Sequence, residues 1–198
     1  MVGNYRRMST VYPMMVLVAC LLLVGCRPKR EPNPPAYNEA DVNMEGVRRF
    51  PMEGVEHIVI DDTPNSVVHL LANDEMYVLV NAGSGTGDGG VLLSKLKALH
   101  VRPEQVAAVC LTDFGHNRMG GLLRGDQPAF PNADVYVPYA ELERYTNGDK
   151  RSENAELMEV LSFYAPRLQV YLPGDTLLHR LVADSTRGGF QLDTVFLN

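Results

Sequence analysis

Apolar residues follow two spacings along this 198-residue chain, and together they predict both strands and helices. Three short runs rich in β-branched residues predict strands, at 57–60, 66–72 and 76–81. The polar loop Asn73-Asp74-Glu75 predicts a hairpin between the second and third of these strands. A leucine repeat over 91–100 predicts a helix with one apolar face. The continuous apolar run 106–111 predicts a strand buried on both sides.

Strands and helices remain intermixed in the second half of the chain. A short helical turn is expected at 120–123, helices at 139–146 and 152–164, and strands at 134–137 and 168–172. Short strands fill the remainder up to Leu197. The order of elements predicts an α/β (α+β mixed) domain with a hairpin at its start.

The first 25 residues differ from the rest, because they contain no Asp or Glu. Arg6 and Arg7 form a basic start, and the run 11–24 is apolar apart from Pro13. This layout is typical of a secretory signal peptide (1–25) rather than of a spanning helix. The sequence Leu23-Val24-Gly25-Cys26 resembles a bacterial lipobox, after which Cys26 would be cleaved and lipidated.

Residues 26–54 are then expected to be the lipidated cysteine and a flexible tether, and residues 55–198 the folded domain. The tether prediction depends on four prolines among charged residues, Pro28, Pro32, Pro34 and Pro35. The lipid predicts attachment to a membrane outside the cytoplasm, in the cell envelope.

Cleavage of the signal changes the charge and the cysteine count. Of the 18 Lys and Arg residues, Arg6 and Arg7 would be lost, and the remaining 16 stand against 24 acidic residues, a net charge of -8. This balance argues against nucleic acid as a partner, since phosphate binding needs a basic surface. Cys110 would be the one free thiol, and its apolar strand favours a buried core residue.

The most informative stretch is 109–122, where an apolar strand ends at Thr112, a polar loop follows, and Gly120-Gly121 opens the next segment. This layout resembles the metal-binding loop of the metallo-β-lactamase superfamily, Thr-His-x-His-x-Asp-His-x-Gly-Gly. The hairpin, the leucine-rich helix and Phe130–Val137 match that family in order. The resemblance implies a partial αββα sandwich, incomplete at its C-terminus.

The ligand positions of the family differ in this chain. The family binds one or two zinc ions, which need three or four donors at about 2.0 to 2.3 Å. Four loop positions that hold ligands in the family have other residues here, namely Asp113, Gly115, Asn117 and Arg118. The best match to the family's later histidine is Ser185, and Asn81 replaces its aspartate after the hairpin. The resemblance therefore favours a non-catalytic binding module or remnant, without a cofactor.

Two alternatives stay open. A slipped loop would present Asp113 and His116 together, which would make the chain a metal-dependent hydrolase with atypical ligands and zinc as its cofactor. The other histidines lack ligand spacing and are interpreted as structural, at positions 57, 69, 100 and 179. The second alternative is a dinucleotide-binding loop, since Gly85, Gly87 and Gly90 fit G-x-G-x-x-G between a strand and a helix.

A shortened sandwich has a further implication for partners. The second half of an αββα sandwich covers the first, so a shortened chain is expected to leave a sheet edge or apolar face open. A protein partner or self-association is expected to cover it.

Overall fold

A computed structural model describes residues 44–85, 90–150, 152, 155–178, 180–184, 189–192 and 195–197. These residues belong to one compact unit, 32–198. The longer strands are β1 (Val47–Met52), β2 (Val55–Thr63), β3 (Ser66–Ala72), β4 (Tyr77–Val80) and β5 (Val106–Cys110). The remaining strands are β6 (Leu123–Arg124), β7 (Gln127–Pro128), β8 (Asp134–Pro138), β9 (Leu168–Tyr171), β10 (Thr176–Leu177), β11 (Leu181–Ala183), β12 (Phe190–Leu192) and β13 (Val195–Leu197). The helices are α1 (Gly90–Ala98), α2 (His116–Met119), α3 (Tyr139–Thr146) and α4 (Ala155–Tyr164).

The main sheet has the strand order β1-β2-β3-β4-β5-β8-β9. Its first four strands are joined by antiparallel hairpins, whereas β5, β8 and β9 run parallel to β4. The predicted loop between β3 and β4 is confirmed, and Asn73 Oδ1 accepts the amides of Glu75 and Met76 at 2.9 and 2.8 Å. A second sheet follows the order β10-β11-β12-β13.

The two faces of the main sheet bury different layers. One face packs on helices, with Leu92 and Leu96 of α1 and Leu157 of α4 in its core. The other face packs on the second sheet, through residues such as Phe190 and Leu197. Strand β5 is buried along its whole length because both layers cover it, as its apolar sequence predicts. The mixed α/β class is confirmed, with helix, sheet and sheet layered in that order.

Strand β1 corrects the predicted domain boundary. The predicted tether spans 26–54, but Val47–Met52 pairs along its whole length with β2. Its charges favoured a solvated segment, yet they face partners on β2: Arg48 lies 2.7 Å from Asp61, and Arg49 lies 2.7 Å from Glu56. Pairing with a distant strand, which local composition does not reveal, decides its structure.

Residues 1–43 lie outside the described residues, and with them the predicted signal peptide, Cys26 and most of the tether. Within the part that is described, no helix combines the length and apolar character needed to cross a bilayer.

Candidate site at the carboxyl ends of β4 and β5

Two loops meet where the parallel strands β4 and β5 end. The segment 81–85 follows β4, and the segment 111–122 follows β5. Backbone hydrogen bonds join them: the amide of Ala82 donates to the carbonyl of Arg118 at 2.6 Å, and that of Gly121 donates to Gly83 at 3.2 Å. The carboxyl ends of parallel strands are a common position for binding sites in α/β sheets.

Glycines allow these two loops to approach each other at backbone distance. A Cβ atom on Gly121 would lie 1.9 Å from the carbonyl oxygen of Ala82, and one on Gly120 would lie 2.2 Å from that of Ser84. A Cβ atom on Gly85 would lie 1.9 Å from the carbonyl oxygen of Gly120. Since only glycine fits such contacts, the Gly-Gly pair defines the frame of the site.

Asn81 connects the loops from inside. Its side chain is fully buried, and its backbone has a positive φ of 65°, which asparagine tolerates better than most residues. Its Oδ1 lies 3.0 Å from both the amide and the hydroxyl of Thr112 and accepts hydrogen bonds from them. Its Nδ2 is buried without a hydrogen-bond partner among the described residues. The side-chain carbonyl of Asn81 therefore holds the β5 loop, while its Nδ2 group forms no hydrogen bond to the part of the chain that the structure describes.

Asp113 directs its carboxylate at its own loop. Its Oδ1 accepts the amide of Gly115 at 2.7 Å, and its Oδ2 lies 3.0 Å from Thr112 Oγ1. That hydroxyl has one proton to share between Asn81 and Asp113. The Arg118 Nε atom lies 3.6 Å from Asp113 Oδ2. The carboxylate therefore has three neighbouring donors, all from the same loop.

His116 and Asn117 begin the short helix α2. His116 is exposed at its first position. The side chain of Asn117 donates to the carbonyl of Asn65 at 3.1 Å, and Ser66 Oγ donates to the carbonyl of Asn117 at 2.7 Å. Asn117 therefore ties the loop to the β2–β3 hairpin.

The residues of this loop do not fit a zinc ion. Zinc needs three or four histidine, cysteine or carboxylate donors, and the four family positions supply one carboxylate, on Asp113. Arg118 places a permanent positive charge beside that carboxylate. In the described part of the chain, no group of three or more His, Cys, Asp and Glu side chains is placed to hold a metal.

One buried aspartate at this site was not predicted from the sequence. Asp62, 6% exposed, accepts the amide and the hydroxyl of Ser84 at 2.7 and 2.8 Å through Oδ2. A Cβ atom on Gly83 would lie 2.8 Å from its Cγ, so glycine is needed there as well. Oδ1 is buried with no hydrogen-bond partner among the described residues. Its position at the end of an apolar strand was the available signal.

Tyr171, on β9, contacts the site where β5 ends. Its hydroxyl donates to the carbonyl of Leu111 at 2.8 Å. Burial raises the pKa of Tyr171, and the carboxylates of Asp113 and Glu141 raise it further. Tyr171 is therefore a neutral hydrogen-bond donor at ordinary pH.

Two histidines that were interpreted as scattered and structural meet in the fold. His57 Nε2 and His69 Nδ1 lie 2.9 Å apart, because β2 and β3 pair antiparallel and bring 57 and 69 onto neighbouring positions. Their rings stack with centroids 5.2 Å apart. Burial lowers the pKa of His57. The pair therefore joins side chains of two neighbouring strands, β2 and β3.

Other predicted site residues are placed as follows. Gly85 packs on Gly120, and this contact explains a glycine there without a phosphate. Gly90 has a positive φ of 66° and begins α1. Gly87 and Ser185 lie outside the described residues.

Several solved structures have a similar fold, and three of them are described as a hydrolase, a lactonase and a probable metal-dependent hydrolase. The hydrolase AbOPH of the beta-lactamase superfamily shares 18% identity over 71% of this chain and 65% of its own, with a TM-score of 0.55. The dizinc quorum-quenching lactonase AidC shares 16% identity over 69% of this chain and 65% of its own, with a TM-score of 0.59. A probable metal-dependent hydrolase from Staphylococcus aureus shares 15% identity over 64% of this chain and 49% of its own, with a TM-score of 0.51.

The alignments cover less than two thirds of the length of each of these three structures. No protein-family profile and no curated protein sequence matches this chain. The similarity therefore identifies the fold, and the loop residues must be judged on their own chemistry.

Proposed function

We propose that this chain, which has the metallo-β-lactamase fold, is a non-catalytic relative of the zinc-dependent hydrolases that acts as a binding module. The proposal is carried by one observation: Asp113, the one carboxylate at the family's loop positions, points at the loop's own donors and lies 3.6 Å from Arg118. A hydrolytic metal centre needs several converging donors and an open position for water.

Metal content and turnover test this proposal together. Purified protein is analysed for bound metal, and hydrolysis of ester, lactone and β-lactam substrates is measured with and without added zinc. We expect substoichiometric metal and no metal-stimulated turnover. Asp113→Ala and, as a matched control, Asp126→Ala in the exposed β6–β7 turn are measured beside the wild type.

The alternative is a hydrolase with Asp113 and His116 as atypical ligands. It is favoured by their closeness in sequence and by the 44% exposure of the Asp113 side chain. Metal-stimulated turnover that is lost in Asp113→Ala and kept in Asp126→Ala would establish this enzyme and refute the binding role.

Attachment to the cell envelope through Cys26 belongs to the same proposal, and the lipobox-like sequence 23–26 supports it. Wild-type protein is expected in the membrane fraction and should incorporate labelled fatty acid, whereas Cys26→Ala should do neither. Cys20→Ala is the matched control. Equal fatty-acid incorporation by Cys26→Ala and the wild type would contradict the anchor.

We further propose that a protein partner or a second copy of the chain covers the β9 edge. Strand β9 is the last strand of the main sheet, and Val170 and Leu172 beside that edge are 49% and 52% exposed. Exposed apolar edge strands favour pairing. Light scattering should reveal association that Val170→Lys weakens and that Val91→Lys, on α1, leaves unchanged. A monomer with a cooperative, high melting transition would contradict this proposal.

A further inference from the structure

The loop between β5 and α2 contains a carboxylate, on Asp113, and the guanidinium of Arg118 lies beside it. We infer that the Arg118 guanidinium takes the place of a metal ion as the countercharge of this loop, so that the loop reaches its folded conformation without metal. This inference concerns how the loop is held and does not depend on the binding role proposed above.

Arg118 is positioned for this role by its backbone. Its amide donates to the carbonyl of Gly115 at 2.8 Å, and its carbonyl accepts the amide of Ala82 at 2.6 Å. The residue is therefore fixed to its own loop on one side and to the β4 loop on the other. With the backbone held in this way, the guanidinium lies beside Asp113, and 20% of the Arg118 side chain is exposed.

The negative charge of the Asp113 carboxylate is neutralised by donors of the chain itself, where a metal ion would otherwise neutralise it. The Gly115 amide and the Thr112 hydroxyl lie 2.7 and 3.0 Å from its two oxygens, and Arg118 Nε lies 3.6 Å away. Among the ion pairs of the described residues, this pair lies within the site loop. The others lie elsewhere: 48–61 and 49–56 join β1 to β2, 144–141 lies within α3, and 144–149 joins α3 to the turn that follows it.

The chemistry of arginine makes the replacement stable against competing metal. A guanidinium carries a permanent positive charge in proteins. A divalent cation near Asp113 would be repelled by this neighbouring charge and would find no second carboxylate at the family positions. Arg118 therefore supplies a countercharge and also makes the same place unfavourable for zinc.

A double-mutant cycle on the full chain tests the pair. Folding equilibria are measured by denaturant titration for wild type, Arg118→Gln, Asp113→Asn and the double variant. Each single variant should lower the equilibrium constant for folding by some factor. We expect the factor for the double variant to be smaller than the product of the two single factors, by roughly twofold to fivefold. This excess should shrink in about 1 M salt, where the Debye length is near 3 Å. Arg118→Lys, which keeps the charge, should retain most of the coupling.

Asp113→Asn combined with Arg48→Gln is the matched control, since Arg48 pairs with Asp61 on another strand, and these effects should add. A chelator should leave the melting temperature of the wild type unchanged. Additive effects of the 113 and 118 variants, or a melting temperature lowered by the chelator, would overturn the inference. If Arg118→Gln did not fold, the same cycle with Arg118→Met, which also removes the charge, and the chelator measurement would decide. Metal-independent turnover would refute the binding role while leaving this inference standing.

Discussion

The contact between Gly120 and the β4 loop gives the most direct test of the site's frame. Gly120 has φ -57° and ψ -32°, which any residue adopts, so that its need for glycine is steric. In Gly120→Ala the new Cβ would lie 2.2 Å from the carbonyl oxygen of Ser84 and 2.7 Å from its carbonyl carbon. Real Cβ atoms essentially never come within 3.0 Å of such neighbours.

The magnitude follows from what has to move. Both close neighbours are backbone atoms of Ser84, whose amide and hydroxyl are also bound to Asp62. No rotation of a side chain relieves the overlap, so we expect the top of the range for overpacked sites, about 3 kcal/mol. For a domain of this size that corresponds to a loss of about 6 to 12 °C in melting temperature.

Gly115→Ala is the matched control in the same loop. Its backbone is also ordinary, with φ -61° and ψ 142°. Here the new Cβ would meet the Oδ1 atoms of Asp113 and Asn117, at 2.8 and 2.9 Å. These are side-chain ends that can turn away, so we expect at most about 1 kcal/mol, the worth of one hydrogen bond.

Urea titration of the full chain, followed by circular dichroism because the chain has no tryptophan, measures both variants. The m value should stay unchanged, since neither variant alters the surface exposed on unfolding. A Gly120→Ala variant within about 0.5 kcal/mol of the wild type would refute the reasoning. Equal losses in both variants would do the same.

Three further predictions concern buried polar groups. Asn81→Ala should lose about 2 to 4 kcal/mol, because alanine is strained at positive φ and the Thr112 amide loses its acceptor; a titration showing less than about 1 kcal/mol would contradict the bond. Tyr164→Phe should lose about 1 to 3 kcal/mol, since the hydroxyl donates to Leu122 and accepts from the buried Phe130 amide, and an unchanged denaturation midpoint would argue against it. Burial lowers the pKa of His57 in the folded protein from its ordinary 6.5. The unfolded chain therefore binds a proton at this residue more readily than the folded chain does. The stability that depends on neutral His57 should be complete above pH 6.5 and should be lost as the pH falls from 6.5 toward the lower pKa of the folded state. His57→Gln should flatten this dependence, and an equally steep loss of stability in that variant would rule His57 out as its source.

Local patterns predicted the hairpin, the buried strand β5 and the leucine face of α1, because each depends on spacing within a few residues. They failed at β1, because the charges of Arg48 and Arg49 are typical of a solvated segment. These two side chains instead pair with carboxylates of β2, a strand that the local sequence does not identify as their partner. The same limit applies to His57 and His69, which only the register of β2 and β3 brings together.

The candidate site was predicted unevenly for a similar reason. Its frame carries a local signal in Gly120-Gly121, and the mismatch of its ligand positions is visible residue by residue. The bonds between Asp62 and Ser84 join positions 22 residues apart, so that the end of an apolar strand is the one local signal for Asp62. Asn81 was predicted only as a lost aspartate, whereas its carbonyl oxygen still binds both donors of Thr112.

The glycines of the site loops imply that some positions of the site tolerate mutation much better than others. A larger side chain at position 115 would displace two side-chain ends, without any change of the main chain. Substitution at Gly85, Gly120 or Gly121 instead drives a carbon atom into another loop's backbone. Donor groups can therefore be introduced at position 115 while the glycine contact stays fixed. A laboratory selection for metal binding would have a preserved backbone path on which to act.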